Sequence, residues 1–292
     1  MTFSLQTLRV RGTATGCATI GSKTYRLADL GAPAAVATLF EDWQHWSAHL
    51  RAAKPTAAAA LPDDLEVLAP LQFPGKILCA GANYYDHCAE MGVQDLRKEA
   101  QRLFFFFKPP RNAVVGPGAT VRKPIGTNAM DWEVELALVI GKTARNVSAA
   151  DAMAHVAAYT VAIDFSARDH NRAPETFYKL DWVAGKGHDT CCPMGPRLIP
   201  ADDIGDAMDL ALNLTVNGET KQNARTAGMI FNIAEQIATA SRIMTLDPGD
   251  VILTGTPAGV GAPKGTFLAV GDRVAATIEK IGTLAVTIQP EG

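Results

Sequence analysis

The stretch MDWEVELALVIGK, residues 130–142, places two glutamates, Glu133 and Glu135, in a long apolar run. The run EVELALVIG is typical of a β-strand. Successive side chains of a strand point to opposite faces, so residues 133 and 135 share one face. Two carboxylates side by side in a partly buried strand raise each other's pKa unless a cation compensates them. The stretch therefore predicts a strand that carries an acidic site.

A divalent metal ion is the simplest cation for such a pair, and carboxylate oxygens favour magnesium, calcium or manganese over zinc. Asp164 is a candidate third ligand because it ends another apolar run, YTVAID. A helix between the two strands would make a crossover that brings Asp164 beside the glutamates. The alternative is an edge strand with both glutamates in solvent, since surface carboxylates are the norm.

Composition describes an ordinary globular protein of 292 residues, 48% hydrophobic and 20% charged, with a formal net charge of −3. The mixed charges favour neither nucleic acid nor an anionic membrane as a partner, since both bind clustered positive charge. The five cysteines show no metal-binding spacing, which favours buried thiols in a reducing cytosol. We see no signal peptide and no apolar run long enough to span a bilayer. These features predict a cytoplasmic protein.

Two domains are predicted from the change of pattern along the chain. Residues 2–30 indicate a small β-hairpin, and the segment after them has apolar residues at helical spacing. A linker rich in Ala and Pro ends near Pro70, so we expect a small N-terminal α/β domain at 1–70 and a larger domain at 71–292. The larger part has many short β-rich runs and few helices. It predicts a β-rich α+β fold, not a doubly wound sheet.

Short sequence patterns predict where several turns and helices begin or end. Asn217-Gly218 is a strong hairpin turn between two β-rich runs. Ser148 and Asp151 offer a capping box for a helix through Val156. An amphipathic helix starts near Met229 and stops before Asp247.

A histidine and two lysines are candidates for catalysis. His87 and Glu90 are three positions apart, so on a helical turn Glu90 would orient His87 as a base. Lys186 lies between glycines, and Lys108 lies between four phenylalanines and two prolines. Either lysine could approach a substrate and offset a developing oxyanion. The alternatives are a chance pair on an exposed turn for His87 and Glu90, and surface lysines for the other two.

The Gly-rich run LTGTPAGVGAPKG, residues 253–265, follows a predicted strand. It lacks the GxxxxGK[ST] pattern of a phosphate loop, which leaves nucleotide binding with little support. Its backbone N–H groups would still suit a carboxylate or another anion. Neither a GxSxG elbow nor a local cysteine-nucleophile pattern is present.

Taken together, these motifs resemble the fumarylacetoacetate hydrolase family, acylpyruvase-like branch. The resemblance extends from Lys76 to about Thr287. It implies a rolled mixed β-sheet, a homodimer, and a magnesium or similar ion at the centre. The matching motifs, in the family's order, are GANYYDHCAEMG, FFKPPRNAVVGPG, DWEVELALVIGK, AIDFSARD, GKGHDTCCPMGP, MIFNIAEQI and PGDVILTGTPAGVG.

The resemblance implies roles for individual residues. Two positions depart from the family: Asn171 stands where glutamine is common, and Gly187-His188 stand where Ser-Phe is common. Both lie near substrate in relatives, so they bear on substrate identity. The implied roles are metal ligation by Glu133, Glu135 and Asp164, water activation by His87 and Glu90, enolate stabilisation by Lys186, and substrate contact by Lys108, Arg168, Asn171 and Thr256.

The implied reaction is metal-dependent hydrolysis of a carbon–carbon bond in a 2,4-dioxo acid, giving pyruvate and a second acid. The substrate would be an acylpyruvate, a fumarylpyruvate or a 2,4-diketo-3-deoxy sugar acid, with Mg²⁺, Mn²⁺ or Ca²⁺ as the ion. A 2-oxo acid decarboxylase, isomerase or hydratase would use the same enolate chemistry and is the alternative. A non-catalytic, metal-dependent oxo-acid-binding protein is an alternative of another class, but it would need neither His87 nor Lys186.

Overall fold

The computed structural model describes residues 1–291. Strands supply most of the regular structure. In chain order they are β1 (Phe3–Val10), β2 (Thr13–Ile20), β3 (Lys23–Arg26), β4 (Val67–Leu68), β5 (Ile77–Gly81), β6 (Phe104–Phe107), β7 (Val114–Val115), β8 (Thr120–Lys123), β9 (Met130–Asp131), β10 (Val134–Ile140), β11 (Val156–Ile163), β12 (Ser166–Ala167), β13 (Cys192–Pro200), β14 (Ala211–Val216), β15 (Glu219–Arg225), β16 (Val251–Leu253), β17 (Arg273–Ile278) and β18 (Gly282–Pro290).

The helices are short, and most of them lie in the connections between strands. In chain order they are α1 (Val36–Leu39), α2 (Trp43–Ala52), α3 (Tyr85–Glu90), α4 (Ala149–Ala152), α5 (Arg168–Asn171), α6 (Trp182–Lys186), α7 (Ala201–Ile204) and α8 (Ile233–Ile243).

Two large sheets form the framework. The first sheet runs β3-β2-β1-β13-β11-β10-β16-β5-β6. It is mixed, because β16 and β5 are parallel while the other neighbouring strands on this path are antiparallel. The second runs β15-β14-β17-β18-β8. Over residues 1–291 both orders are open paths, so neither sheet closes into a barrel. The predicted β-rich α+β fold is confirmed.

Strand β10 lies at the centre of the first sheet, between β11 and β16, and all seven of its residues are buried. Its side chains alternate between two hydrophobic clusters. Leu136 and Leu138 pack in the cluster that also holds the second sheet, and Ala137 and Val139 pack in the other. A strand covered on both faces reads as a continuous apolar run. The alternative of a solvent-exposed edge strand is therefore wrong.

The N-terminal segment is joined to the main sheet. It forms a three-stranded meander, β1 to β3, where the sequence predicted a hairpin, and β1 pairs with β13 through Leu5 and Leu198. The helical run after it is divided into α1 and α2 by a short 3-10 turn at Phe40–Asp42, where Asp42 caps α2. The division into domains at 1–70 and 71–292 stays a prediction.

The predicted local elements form with small shifts. Asn217 and Gly218 have φ of 52° and 83°, as a type I′ turn between β14 and β15 requires. Asn232 and Glu235 make a capping box at α8. Ser148 caps α4, but the helix ends early and Val156 begins β11, because burial of the whole strand outweighs local helix preference.

Candidate metal centre and active site

The acidic cluster forms where β10 begins and β11 ends. These strands are antiparallel neighbours with Val134 opposite Ile163, so the connection is not a parallel crossover. The next positions outward are Glu133 and Asp164, and the Asp164 N–H donates to the Glu133 carbonyl at 2.9 Å. Glu135 lies two positions from Glu133 on the same face. Carboxylate oxygens of the three acids lie within 4.8 Å of one another, and all three residues are buried.

Two buried lysines compensate part of this charge. The Lys186 ammonium donates to Glu133 Oε2 and to Asp164 Oδ2, both at 2.7 Å. The Lys108 ammonium donates to Asp164 Oδ1 at 2.5 Å and to the Phe165 carbonyl at 2.9 Å. Lys108 and Lys186 are only 1% and 4% exposed. They are therefore not surface lysines. A cavity lies beside the triad, and of the two lysines Lys186 lines it and Lys108 does not.

The three acids differ in how fully they are compensated. Burial acts to raise the pKa of Glu133, but Lys186 and Arg168 outweigh it and hold that pKa far below its usual range. Burial, reinforced by Asp164 and Glu133, raises the pKa of Glu135 well above its usual value. Within residues 1–291 Glu135 has no ion-pair partner and accepts only the Gly255 N–H, at 2.6 Å. Its charge calls for a proton or an added cation.

For the Lys186 ammonium, burial and the neighbouring carboxylates act on the pKa in the opposite directions. Burial acts to lower its pKa, yet the facing carboxylates of Asp164 and Glu133 raise it above the ordinary lysine value. The side chain is therefore a charged ammonium at neutral pH, beside the triad and in the cavity wall.

Arg168 connects the triad to a fourth carboxylate. Its guanidinium donates to Glu133 Oε1 at 2.5 Å and to Asp131 Oδ2 at 2.9 Å. The short pairing of β9 with β12 positions these groups, because it sets Asp131 opposite Ser166, two residues before the arginine. Asp131 also accepts the backbone N–H groups of Gly261 and Ala262 and is fully buried.

His87 and Glu90 form the predicted pair on α3. His87 Nδ1 lies 2.8 Å from Glu90 Oε1, and His87 lines the cavity. An ionised carboxylate can only accept, so Nδ1 carries a proton, and in the neutral imidazole Nε2 then has the free lone pair. The other Glu90 oxygen accepts the Gly259 N–H at 2.9 Å. Both oxygens of the carboxylate are held, and the imidazole is held with them.

The Gly-rich loop binds carboxylates of this chain. The N–H of Gly255 reaches Glu135, that of Gly259 reaches Glu90, and that of Gly261 reaches Asp131 at 2.6 Å. The sequence indicated an anion-binding backbone without indicating which anions. The structure shows that one loop holds Glu135 of the triad, Glu90 of the histidine pair and Asp131, the partner of Arg168, in fixed positions relative to one another.

Thr256 and Asn171 both line the cavity. The Thr256 hydroxyl donates to the Val134 carbonyl and accepts from Gln222 Nε2, each at 2.9 Å. Asn171 donates to the Asp181 carbonyl at 3.1 Å. Gln222 lies on β15 of the second sheet and also accepts the Val134 N–H. Sequence reasoning missed it, because nothing near it along the chain marks a buried polar residue.

A cavity of about 360 Å³ is lined by part of this set, namely His87, Glu133, Glu135, Arg168, Asn171, Lys186 and Thr256. Its volume is at the small end of the range for ligand sites. The charged groups lie beside a wall that is mostly apolar and aromatic. Beyond the groups described above, its lining includes Ala80, Cys88, Met91, Val93, Phe104, Phe106, Arg172, Leu180 and Trp182.

The donor set fits a hard divalent cation. Three carboxylates offer oxygen ligands only, which suits magnesium, manganese or calcium. Their oxygens already converge, and Glu135, which has no ion-pair partner among residues 1–291, is the acid that gains most from a cation.

Comparison with known proteins identifies relatives over most of the chain. Residues 76–289 match the family model described as fumarylacetoacetate (FAA) hydrolase C-terminal. The chain is 41% identical over 253 residues to the Homo sapiens protein "Oxaloacetate tautomerase FAHD2B, mitochondrial", covering 85% of this chain and 78% of the relative.

Two solved structures extend the similarity to nearly the whole chain. The 2-hydroxyhepta-2,4-diene-1,7-dioate isomerase from Mycobacterium marinum superposes with a TM-score of 0.75 at 32% identity, covering 99% of both chains. The maleylpyruvate hydrolase from Sphingobium sp. SYK-6, in complex with manganese(II) and pyruvate, gives a TM-score of 0.76 at 28% identity, covering 99% of this chain and 100% of that one. In residues 1–291 no helix has the length and apolar character needed to cross a membrane.

Proposed function

We propose that this chain, which belongs to the fumarylacetoacetate hydrolase family, is a divalent-metal-dependent enzyme that interconverts the enol and keto forms of a 2-oxo acid. The observation that carries the proposal is a cavity lined both by two carboxylates of the buried triad, Glu133 and Glu135, and by His87, which Glu90 holds in place. The relative named oxaloacetate tautomerase supports this reaction.

Glu133, Glu135 and Asp164 would hold the ion, with Mg²⁺ as our first candidate and Mn²⁺ or Ca²⁺ as alternatives. The ion would supply Lewis-acid polarisation of the oxo and carboxylate oxygens of the acid. Lys108 would hold the Asp164 carboxylate in place, since its ammonium donates to that group. We therefore assign Lys108 to support of the triad, in place of the contact with substrate implied by the resemblance.

His87 would move the proton. Tautomerisation breaks a C–H bond at C3 of the keto acid and forms an O–H bond at C2, or the reverse. Nε2 of His87 has the free lone pair, so it takes the proton from one position and returns it to the other. Glu90 holds the ring in the required tautomer and stabilises the imidazolium formed in between. No group outside the cavity is needed for the proton balance.

The cationic side chains of the cavity wall would stabilise the negative charge that develops on the enolate oxygen. The Lys186 ammonium lies at the triad and remains charged, so it can act on that oxygen without first taking up a proton. Arg168, Asn171 and Thr256 line the same cavity and would orient the substrate. Expected substrates are thus small oxo acids whose enolate lies beside Lys186.

Hydrolysis of a carbon–carbon bond is the second candidate. The same His87 would deprotonate a water that adds to the C4 carbonyl of a 2,4-dioxo acid. The C3–C4 bond then breaks, its electron pair forms the pyruvate enolate, and a proton at C3 completes pyruvate. The similarity to a maleylpyruvate hydrolase favours this reaction. A decarboxylase or hydratase would use the same enolate, but nothing in the cavity favours either specifically. A binding protein would need no histidine pair.

The test compares the two reactions in one preparation with Mg²⁺ or Mn²⁺. The ketonisation of enol-oxaloacetate is followed by its ultraviolet absorbance, and pyruvate release is measured over a panel of 2,4-dioxo acids. We expect metal-dependent ketonisation that falls roughly a hundredfold or more in His87→Asn, because general acid–base catalysis contributes on that order. His45→Asn, an exposed histidine of α2, is the matched control and should leave both rates unchanged.

Faster pyruvate release than ketonisation, both lost in His87→Asn, would assign the enzyme to hydrolysis instead. Full activity of His87→Asn in both assays would remove the histidine pair from the mechanism.

A further inference from the structure

The cavity wall contains three cationic side chains, and two of them are already neutralised. Lys186 is bound to Glu133 and Asp164, and Arg168 is bound to Asp131 and Glu133. The third is Arg172. Among residues 1–291 its guanidinium has neither a salt bridge nor a hydrogen-bond partner, whereas the other two have two carboxylates each.

The backbone of Arg172 is fixed even though its side chain is exposed. It follows α5 and makes an isolated β-bridge with Leu180. The neighbouring Ala173 N–H donates to the Lys179 carbonyl at 3.1 Å, and the Asp181 N–H donates to the Asn171 carbonyl at 2.9 Å. The loop from 172 to 180 is therefore closed at its base, and the arginine is held at one position of the cavity wall.

The wall of the cavity combines two buried carboxylates, those of Glu133 and Glu135, with the exposed guanidinium of Arg172. The triad residues are at most 4% exposed, while Arg172 is exposed to solvent. Much of the remaining wall is apolar, including Phe104 and Trp182, whose rings pack edge-on at 5.3 Å. A ligand that places its 2-oxo acid group at Glu133 and Glu135 would share the cavity with this apolar wall and with one unpaired guanidinium.

We propose that Arg172 binds a second carboxylate at the far end of the substrate and so selects dicarboxylic over monocarboxylic 2-oxo acids. This inference rests on the proposed function and narrows its substrate class. A guanidinium pairs with a carboxylate through two parallel N–H···O bonds, a geometry that no apolar wall residue offers. Because the arginine is exposed, solvent screening keeps the preference moderate, roughly tenfold in affinity.

The probes are 2-oxoadipate and 2-oxohexanoate, which share a six-carbon chain and differ in the second carboxylate. Each is titrated calorimetrically into the full-length protein with Mn²⁺, so that the readout is binding and not turnover. Wild type should bind 2-oxoadipate roughly tenfold more tightly than 2-oxohexanoate. Arg172→Met should abolish that ratio, and Arg172→Lys should restore part of it, because a lysine keeps the charge but not the paired hydrogen bonds.

Arg273→Met is the matched control, since Arg273 is also exposed but begins β17 and does not line the cavity. It should keep the wild-type ratio. Equal affinity for the two acids in wild type, or an unchanged ratio in Arg172→Met, would overturn the role of Arg172 and leave the proposed function standing. Failure of both acids to bind in the presence of Mn²⁺ would overturn both proposals.

Discussion

Asp131 is outside the triad, yet its carboxylate accepts from more donors than the carboxylate of Glu133, Glu135 or Asp164 does. It accepts from Arg168, from its neighbour Trp132, and from the loop at Gly261 and Ala262, all while fully buried. A buried carboxylate in this position fixes the guanidinium that in turn holds Glu133. Its role is to position Arg168.

We expect Asp131→Asn to lower the free energy of unfolding by about 3 kcal/mol, because the change removes the charge of a fully buried carboxylate and leaves Arg168 with Glu133 as its remaining charge partner. An amide also turns one acceptor into a donor facing N–H groups. Denaturant unfolding measures the loss, and a raised KM with a smaller change in kcat would report the displaced Arg168.

Asp209→Asn is the control for that substitution. It removes an exposed carboxylate that pairs with Arg225, so stability should change little. Equal losses in the two variants would contradict the role assigned to Asp131.

Individual side chains also show how far sequence reasoning reaches. Glu133 and Glu135 could be placed on one face because the strand period is two, and Glu90 could be placed beside His87 because both lie on one helical turn. The contacts of Lys186 with Glu133 and Asp164 could not be found in that way. They join residues 53 and 22 positions apart, and only the tertiary fold brings them together.

The Gly-rich loop after β16 is the element on which the site geometry depends. It carries the backbone donors to Glu135, Glu90 and Asp131. Gly259 has a φ of 105°, and a Cβ at this position would overlap the Lys221 carbonyl on β15. Any side chain at 259 must therefore push the loop away from the second sheet or distort it.

Gly259→Ala should lower kcat about tenfold or more while leaving metal affinity close to wild type, because Glu90 loses its backbone donor and the imidazole loses its fixed orientation. The free energy of unfolding should also fall by about 1–3 kcal/mol, the usual cost of a strained backbone position. Steady-state kinetics, metal titration and denaturant unfolding together separate these effects.

Gly265→Ala is a matched control at the end of the same loop. Its φ of 61° is also positive, but a Cβ there meets nothing within 4 Å. Gly265→Ala should lower the free energy of unfolding slightly and leave kcat unchanged. A kcat for Gly259→Ala equal to that of Gly265→Ala would show that the loop does not position the pair.

Elements of the fold were predictable where a short-range signal exists. The turn at Asn217-Gly218 is local and formed as expected, and the amphipathic helix predicted before Asp247 formed as α8, although it begins at Ile233. The pairing of β1 with β13 was not predictable, since strands far apart in sequence gave no indication of their partners. The same limit applies to Gln222, which reaches from the second sheet to the backbone of Val134.

At the level of the whole molecule, two sheets and one loop converge on a buried excess of negative charge. The family resemblance indicated this arrangement, and the structure supplies the contacts that produce it. The predicted homodimer and the cytoplasmic location stay predictions, because the single chain bears on neither.

Proton release should accompany metal binding. In the metal-free protein burial and the neighbouring acids raise the pKa of Glu135, so the group binds a proton at pH values below that raised pKa. An ion must displace this proton before it can use the carboxylate. Metal affinity should therefore rise with pH until pH passes the raised pKa and should fall as pH drops.

The decisive measurement is calorimetric titration of Mg²⁺ or Mn²⁺ into the wild type and into Glu135→Gln, at two pH values and in buffers of different ionisation enthalpy. We expect one ion per chain, proton release on binding to the wild type, and tighter binding at the higher pH. Glu135→Gln should bind more than about a hundredfold more weakly, since even loss of an outer-shell partner costs 10–100-fold. Absence of metal binding by the wild type, or equal binding by Glu135→Gln, would contradict the assignment of the three carboxylates as a metal centre.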